Sequence, residues 1–310
     1  MSQKTMDVVI PSYKPGETFD RLMKSLLASR YPIQKILVMN TEQQYFPEEK
    51  YQGNPKVQVI HLKKAEFDHG GTRDRAARMC TADLIWFLTQ DAVPADELAA
   101  GALASAFEDE HVWAAYGRQI PREDCRFLER YTRSFNYPDT SSVKSAKDLP
   151  KLGIKTFFCS NVCAMYRRDK YLELGGFEKK TIFNEDMIFA GHVILEGGWI
   201  AYQADAKVIH SHNYSCIEQM HRNFDLAVSQ AEHPEIFGKV KSESEGIRLV
   251  KKTAAWLISK GKPWLIVELF FQSGFKYLGY FLGKRYQKLP MWMVKSLSMN
   301  KAYWQKSSEI

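Results

Sequence analysis

LIWFLTQDAVP, residues Leu84–Pro94, is the stretch from which the fold is read. Leu84, Ile85, Trp86, Phe87 and Leu88 form an unbroken apolar run that stops at Thr89-Gln90-Asp91. A run this short, bounded by a polar break, reads as a strand buried on both faces of a parallel sheet. In open α/β sheets, ligands bind beyond the carboxyl ends of such strands. Asp91 is therefore a carboxylate delivered to a crevice edge. An isolated Asp there reads equally as a cap on the next turn, and the other polar groups aimed at the same edge decide between the two.

Upstream, Asp7-Val8-Val9-Ile10 reads as a first strand followed by the loop Pro11-Ser12-Tyr13-Lys14-Pro15-Gly16. Phe19, Leu22, Met23, Leu26 and Leu27 recur at helical spacing through Ser29. Strands follow at Lys35–Met39 and Val57–Leu62, and then His69-Gly70-Gly71-Thr72-Arg73-Asp74 opens a helix through Ala76, Ala77 and Met79. Strand, helix, strand, strand, helix, strand is the beat of a nucleotide-binding α/β half. The His69–Asp74 segment has two readings. Its glycines, a helix N-terminus and the Arg73 guanidinium suit a phosphate. The same letters also make a Gly-Gly turn with Thr72 as helix cap.

Downstream of Pro94 the pattern predicts a helix over Ala95–Phe107 and a strand over Val112–Gly117, with Gly117-Arg118-Gln119 returning to the crevice. Pro121–Leu152 has little periodicity; it reads as a mobile acceptor-side excursion or a surface insertion. Lys155–Tyr166 is expected to be a strand region that presents Ser160 and Asn161. Leu174-Gly175-Gly176-Phe177 marks a turn before Phe183-Asn184-Glu185-Asp186, which opens a helix over Met187–Glu196. A last strand, entered through Gly197-Gly198-Trp199, ends at His210-Ser211-His212. Alternation puts both histidines on one side.

The composition is that of an ordinary globular chain: 310 residues, 45% hydrophobic and 25% charged. Met1–Met6 is polar, so no secretory leader is read there. The five cysteines (Cys80, Cys125, Cys159, Cys163, Cys216) are scattered and suggest neither a disulfide frame nor a zinc site, which fits a reducing cytosol. Residues 239–310 hold fourteen Lys/Arg against four acidic residues, a balance of +10. With +7 overall, the first 238 residues carry −3. The main domain is thus not the basic partner that nucleic acid requires. The tail is densely apolar from Trp256 to Leu282, but Glu268, Gln272, Ser273 and Lys276 interrupt it, so it is not read as a spanning helix. Aromatics flanked by Lys/Arg fit helices lying on an anionic membrane surface. A helical bundle on the catalytic domain and a homo-oligomer contact are the alternatives.

Taken together and in this order, IPSYKPG, FDHGGTRDRA, FLTQDAVP, FNED and HSH resemble family 2 glycosyltransferases of the GT-A fold. More narrowly, they resemble bacterial rhamnosyltransferases that build cell-surface rhamnose polysaccharides. The resemblance covers about Met6–Ser215. It implies a Rossmann-like α/β catalytic domain over 1–238, with a nucleotide-binding half to about 118 and an acceptor half beyond it. Residues 239–310 are then a helical, amphipathic extension. It further implies donor binding by Pro11, Ser12, Tyr13, Asn40, Thr41, His69, Gly70, Gly71, Arg73, Gln90 and Asp91. Asn40-Thr41-Glu42 stands where the family usually has an acid after the second strand.

Thr89-Gln90-Asp91 replaces the family's Asp-x-Asp and leaves Asp91 as the single carboxylate on a divalent ion, Mn²⁺ or Mg²⁺. His212, further past the strand than His210, is the expected histidine ligand. Asp186 is implied as general base and Glu185 as its neighbour, although capping is what an isolated Asp186 would do. Arg118, Ser160, Asn161 and Trp199 are expected on the acceptor side.

The implied reaction is inverting transfer of L-rhamnose from dTDP-β-L-rhamnose to a lipid-linked saccharide, giving an α linkage. It would take place in the cytoplasm at the inner face of the membrane. The rival readings are a UDP-hexose transferase of the same fold and a nucleotide-sugar-binding scaffold without turnover.

Overall fold

The computed structural model describes residues 3–238, 240 and 243–306; the tail charges Lys239, Lys241 and Glu309 lie outside the described residues. The elements follow in the order β1 (Met6–Tyr13), α1 (Glu17–Leu27), β2 (Ile33–Thr41), α2 (Glu48–Tyr51), β3 (Val57–Leu62), α3 (His69–Met79), β4 (Leu84–Leu88), β5 (Val93–Pro94) and α4 (Ala99–Ala104). Next come β6 (Val112–Ile120), α5 (Phe127–Asn136), β7 (Ser142–Lys144), α6 (Leu149–Leu152), β8 (Cys163–Arg167), α7 (Arg168–Glu173), α8 (Glu185–Leu195) and β9 (Trp199–Ile209). After β9 the described residues form α9 (Cys216–Glu232), α10 (Pro234–Phe237), α11 (Glu243–Ser259), α12 (Leu265–Gly283), α13 (Met291–Leu297) and the short α14 (Lys301–Lys306).

One sheet holds all nine strands in the order β3-β2-β1-β4-β8-β6-β9-β5, with β7 paired to β9. β3, β2, β1 and β4 run parallel, as the apolar run predicts, and every residue of β4 is buried. Each such buried large side chain is worth about 1.5–3 kcal/mol. The chain leaves β1 toward β2 and β3 and returns to β4 on β1's other side. That reversal opens a crevice beyond the carboxyl ends of β1 and β4, where such folds bind ligands. β8 is antiparallel to β4 and β6, while β9 is parallel to β6. The architecture is α/β of the GT-A type, a mixed sheet flanked by helices.

The chain packs as two compact units. The first comprises residues 1–122, 137–179 and 185–211; the second comprises 123–136, 180–184 and 212–310. The sequence places its division at 238/239 instead. Within the second unit, α12 packs along α9 and α5 contacts α11. Its apolar cluster joins Ile182, Phe224, Val228, Val294 and Trp304.

Three local expectations change. Residues 95–107 are not one helix: β5 pairs with β9 (Val93↔Ile209, Pro94↔Val208), so helix begins only at Ala99. Strand over Lys155–Tyr166 is confined to β8, because Gly153–Phe157 forms a 3-10 turn. Pro121–Leu152 is not an aperiodic excursion, since it contains α5, β7 and α6. Lys144 of β7 is buried, its Nζ donating to the Lys155 carbonyl (3.1 Å) and the Phe158 carbonyl (2.5 Å).

Candidate active site

A cavity of about 270 Å³ lies at the reversal point and is lined by Pro11, Ser12, Tyr13, Thr41, Lys64, Phe67, His69, Arg73, Thr89 and Gln90. Gln90 holds the two strand ends together. Its Oε1 accepts from Ser12 Oγ (3.0 Å) and the Tyr13 amide (2.9 Å), while its Nε2 donates to the Tyr13 carbonyl (3.0 Å). A carboxylate could accept the first two bonds but could not donate the third. An amide at this position is therefore a fitted part, not a degraded acid.

Of the predicted donor residues, Asn40, Gly70, Gly71 and Asp91 are not among those that line the cavity. Asn40 is fully buried, donating to the Glu42 carbonyl (3.2 Å) and bonding His61 Nδ1 (3.1 Å). The Glu42 carboxylate accepts from the Lys64 amide. Thr72 is not the cap of α3: Asp68 is, accepting from the Gly71 amide at 2.6 Å. That bond occupies a donor which the phosphate reading left open. Gly70 is required by protein packing, since a Cβ there would sit 1.9 Å from the Glu178 carbonyl oxygen.

β5 carries Asp91 to the end of β9. With Val93 opposite Ile209 in an antiparallel pair, the residues before 93 face those after 209. Asp91 Oδ2 lies 3.5 Å from His210 Nε2. The other ring nitrogen of His210 lies 3.0 Å from Gln119 Oε1, while Gln119 Nε2 donates to the hydroxyls of Tyr137 and Ser160. With Gln119 Oε1 as acceptor, Nδ1 carries the proton of that bond, and Nε2 is the nitrogen that faces Asp91. His212 follows two residues on, and the ligand atoms of Asp91, His210 and His212 all lie within 4.8 Å of one another. A carboxylate oxygen with imidazole nitrogens, one oriented by an amide behind it, suits a divalent cation. The sequence favours His212 over His210 as the ligand; the structure gathers both histidines beside Asp91.

The second cluster forms at the start of α8. Asn184, in the left-handed region at φ 63°, turns the chain into the helix. Glu185 is buried, 3.2 Å from Arg73 Nη1 of α3 and 3.4 Å from Asn161 Nδ2. Asp186 keeps some exposure. Its Oδ2 accepts from the Asn161 amide (3.0 Å) and its Oδ1 from the Met187 amide (2.8 Å). Burial alone would raise the Glu185 carboxyl, but Arg73 and His69 outweigh it and hold it below its ordinary value. Burial and the negative Glu185 beside it push Asp186 up, against the two amide bonds that favour its anion. Adjacent acids pushed apart in this way can serve as a fixed anion and a proton acceptor.

Of the acceptor-side expectations, Asn161 joins this cluster, and Ser160 stands beside Gln119. Arg118 is half-buried in β6, where its charge acts on Tyr202. Trp199 is not brought to the site. It begins β9, paired with Val112 and stacked on His111 at 4.8 Å between ring centroids. His210 lies at the other end of the strand, on the order of 30 Å away along the chain. The sequence reading missed Lys64, Phe67 and Thr89 as cavity walls, and Gln119 as the residue that orients His210.

The family model for glycosyl transferase family 2 matches residues 7–175. O-antigen chain rhamnosyltransferase RfbN of Salmonella typhimurium is 38% identical over 301 residues, covering 96% of this chain and 95% of that protein. O-antigen chain rhamnosyltransferase WbaN of Salmonella anatum is 38% identical over 308 residues, with the same coverage of each. Among solved structures, the mannosyltransferase PcManGT from Pyrobaculum calidifontis, in complex with GDP-Man and Mn²⁺, superposes with a TM-score of 0.56 at 13% identity, over 99% of this chain and 86% of that one. Residues 1–349 of S. aureus TarS, in complex with UDP-GlcNAc, give a TM-score of 0.52 at 14% identity, over 92% and 91%. At these identities the two structures speak for the fold alone.

Proposed function

The chain belongs to glycosyl transferase family 2 and is a glycosyltransferase, and from that premise we propose that it transfers L-rhamnose, with inversion, from dTDP-β-L-rhamnose to a lipid-linked saccharide of a surface polysaccharide. Support for the sugar comes from the two Salmonella relatives, each named as an O-antigen chain rhamnosyltransferase. One observation carries the mechanism: Arg73 lines the cavity and also pairs with Glu185, the neighbour of Asp186. Gln90, which also lines the cavity, precedes Asp91 in the chain. The cavity is therefore flanked by a carboxylate with raised proton affinity and by a candidate cation site.

In the proposed reaction the acceptor hydroxyl oxygen bonds to the anomeric carbon as the bond from that carbon to the diphosphate breaks. The bonding electrons leave with the nucleoside diphosphate, and the hydroxyl proton passes to Asp186. The amides of Asn161 and Met187 hold the Asp186 carboxylate in one orientation. Arg73 keeps Glu185 ionised, and that fixed charge raises the proton affinity of Asp186. Asp91, His210 and His212 would hold Mn²⁺ or Mg²⁺; a bound divalent ion supplies charge neutralisation for the departing diphosphate. Peripheral placement at the cytoplasmic face of the membrane follows from a lipid-linked acceptor.

The test is release of nucleoside diphosphate from a donor panel, dTDP-rhamnose beside UDP-hexoses, with and without Mn²⁺ and a lipid-linked saccharide. Release from dTDP-rhamnose alone, abolished by chelator, is the expected result. Release from a UDP-hexose alone would retain the fold and the base but overturn the sugar. Binding of donors without turnover on any acceptor would favour a scaffold.

A further inference from the structure

Helix α12 is built inside out. The face that meets α9 carries glycine and polar residues. A Cβ at Gly279 would lie 2.1 Å from the Met220 carbonyl oxygen, and one at Gly283 would lie 2.3 Å from that of Phe224. Tyr280 donates to Gln230 Oε1 at 3.2 Å, and Gln272 donates to Glu268 one turn away at 2.9 Å. The large apolar side chains point the other way. Val267, Phe270, Phe271, Tyr277, Leu278 and Phe281 are all exposed, Phe270 by 72%, and they recur every three to four residues along one side. Trp264, just before α12, and Trp292, in α13 after it, are exposed as well, at 65% and 73%.

A soluble helix with only a core to satisfy would place these residues inward. Basic residues flank the stripe. At the carboxyl end of α12, Lys284, Arg285 and Lys288 line a cavity of about 410 Å³ together with Tyr277, Tyr280 and Phe281. Lys260 and Lys262 stand at the other end. Between residues 264 and 288 the only acid is Glu268, which lies off the stripe. Among the described residues no helix is long and apolar enough to cross a membrane. An aromatic stripe with cationic ends matches the headgroup and acyl boundary of an anionic bilayer, into which such helices sink in plane.

We infer that the outer face of α12, with Trp264 and Trp292, is the surface by which this protein lies on an anionic membrane. The inference rests on the membrane placement proposed above and names the face that makes the contact. The experiment is co-sedimentation of the full chain with phosphatidylcholine vesicles, with or without phosphatidylglycerol. It compares wild type with Phe270→Ser/Phe271→Ser and Lys284→Glu/Arg285→Glu, and light scattering gives the mass in solution.

Wild type is expected to prefer the anionic vesicles, and each double variant to lose affinity for them by roughly tenfold or more. Release of nucleoside diphosphate on sugar transfer to a water-soluble acceptor is expected to stay unchanged in both variants, which also confirms that they fold. Equal binding by wild type and both variants would overturn this face while leaving membrane placement standing. Absence of binding by wild type would overturn both. A wild-type dimer that the Phe270→Ser/Phe271→Ser variant converts to monomer, with no vesicle binding, would assign the stripe to a second copy of the chain.

Discussion

Asp91 and Asp186 are the same residue in two settings, and the roles proposed for them rest on the difference. Asp91 follows a buried strand, with its side chain about a third exposed and a histidine 3.5 Å away whose other ring nitrogen bonds Gln119. Its ligand atom lies within 4.8 Å of those of His210 and His212, so it is placed to face a cation. Asp186 starts a helix, and its carboxylate is crowded by a buried anion. Its charge is costly, and a proton relieves that cost. Where a carboxylate sits and what stands behind it, not its identity, separates ligand from base.

Neutralising each carboxylate separates the two roles most strongly. For Asp186→Asn we expect kcat to fall by about 10³, with donor affinity and metal dependence retained. For Asp91→Asn we expect a loss of similar size, about 10³, accompanied by a large rise in the metal concentration needed for half-maximal rate. Steady-state kinetics across a Mn²⁺ titration distinguishes the two signatures. If both variants responded to metal in the same way, the division of labour would collapse.

The residue behind each site comes next in size. Gln119→Leu leaves every expected ligand in place but releases the His210 ring, so metal affinity is expected to weaken by about 10–100-fold while excess metal restores kcat. Isothermal titration with Mn²⁺ measures the affinity directly, and an unchanged value would remove Gln119 from the site. Glu185→Gln acts through proton affinity. A general base must be deprotonated, so its raised value places the acid limb of the kcat profile above the ordinary carboxylate range. Removing the adjacent anion, and freeing Arg73 to act on Asp186, both lower that value. The acid limb is expected to move to lower pH by about one unit. A limb that stays in place would mean that another group controls it.

The same contrast shows what was legible in the residues alone. LIWFL carries its own reading, because five apolar residues in a row require burial on both faces, and the strand-end position of Asp91 follows. Asp186 was legible as a site residue but not as the acid with the higher proton affinity. That difference depends on Arg73, held 3.2 Å from Glu185 by a packing of α3 against α8 that no local pattern records. β5 was unreadable for a similar reason. Two residues, Val93 and Pro94, are a strand only because β9 lies beside them. Gly70 was legible as a close approach, and one atom that approaches it is the Glu178 carbonyl oxygen, which no local pattern records.

Trp199 provides the smallest expected effect and a control on the comparison. The sequence reading expects Trp199 on the acceptor side, yet it opens β9 while His210 follows the strand's other end. Its ring stacks on His111 and packs against the core beside Val112. Trp199→Ala should therefore cost stability, about 0.5–1.5 kcal/mol for the lost ring pair with more for buried area, and leave kcat/KM within about twofold. Thermal denaturation and kinetics on the same sample separate these two quantities. A large kinetic loss without a loss of stability would mean that the far end of β9 communicates with its histidines, and that the local environments of Asp91 and Asp186 do not by themselves account for their roles.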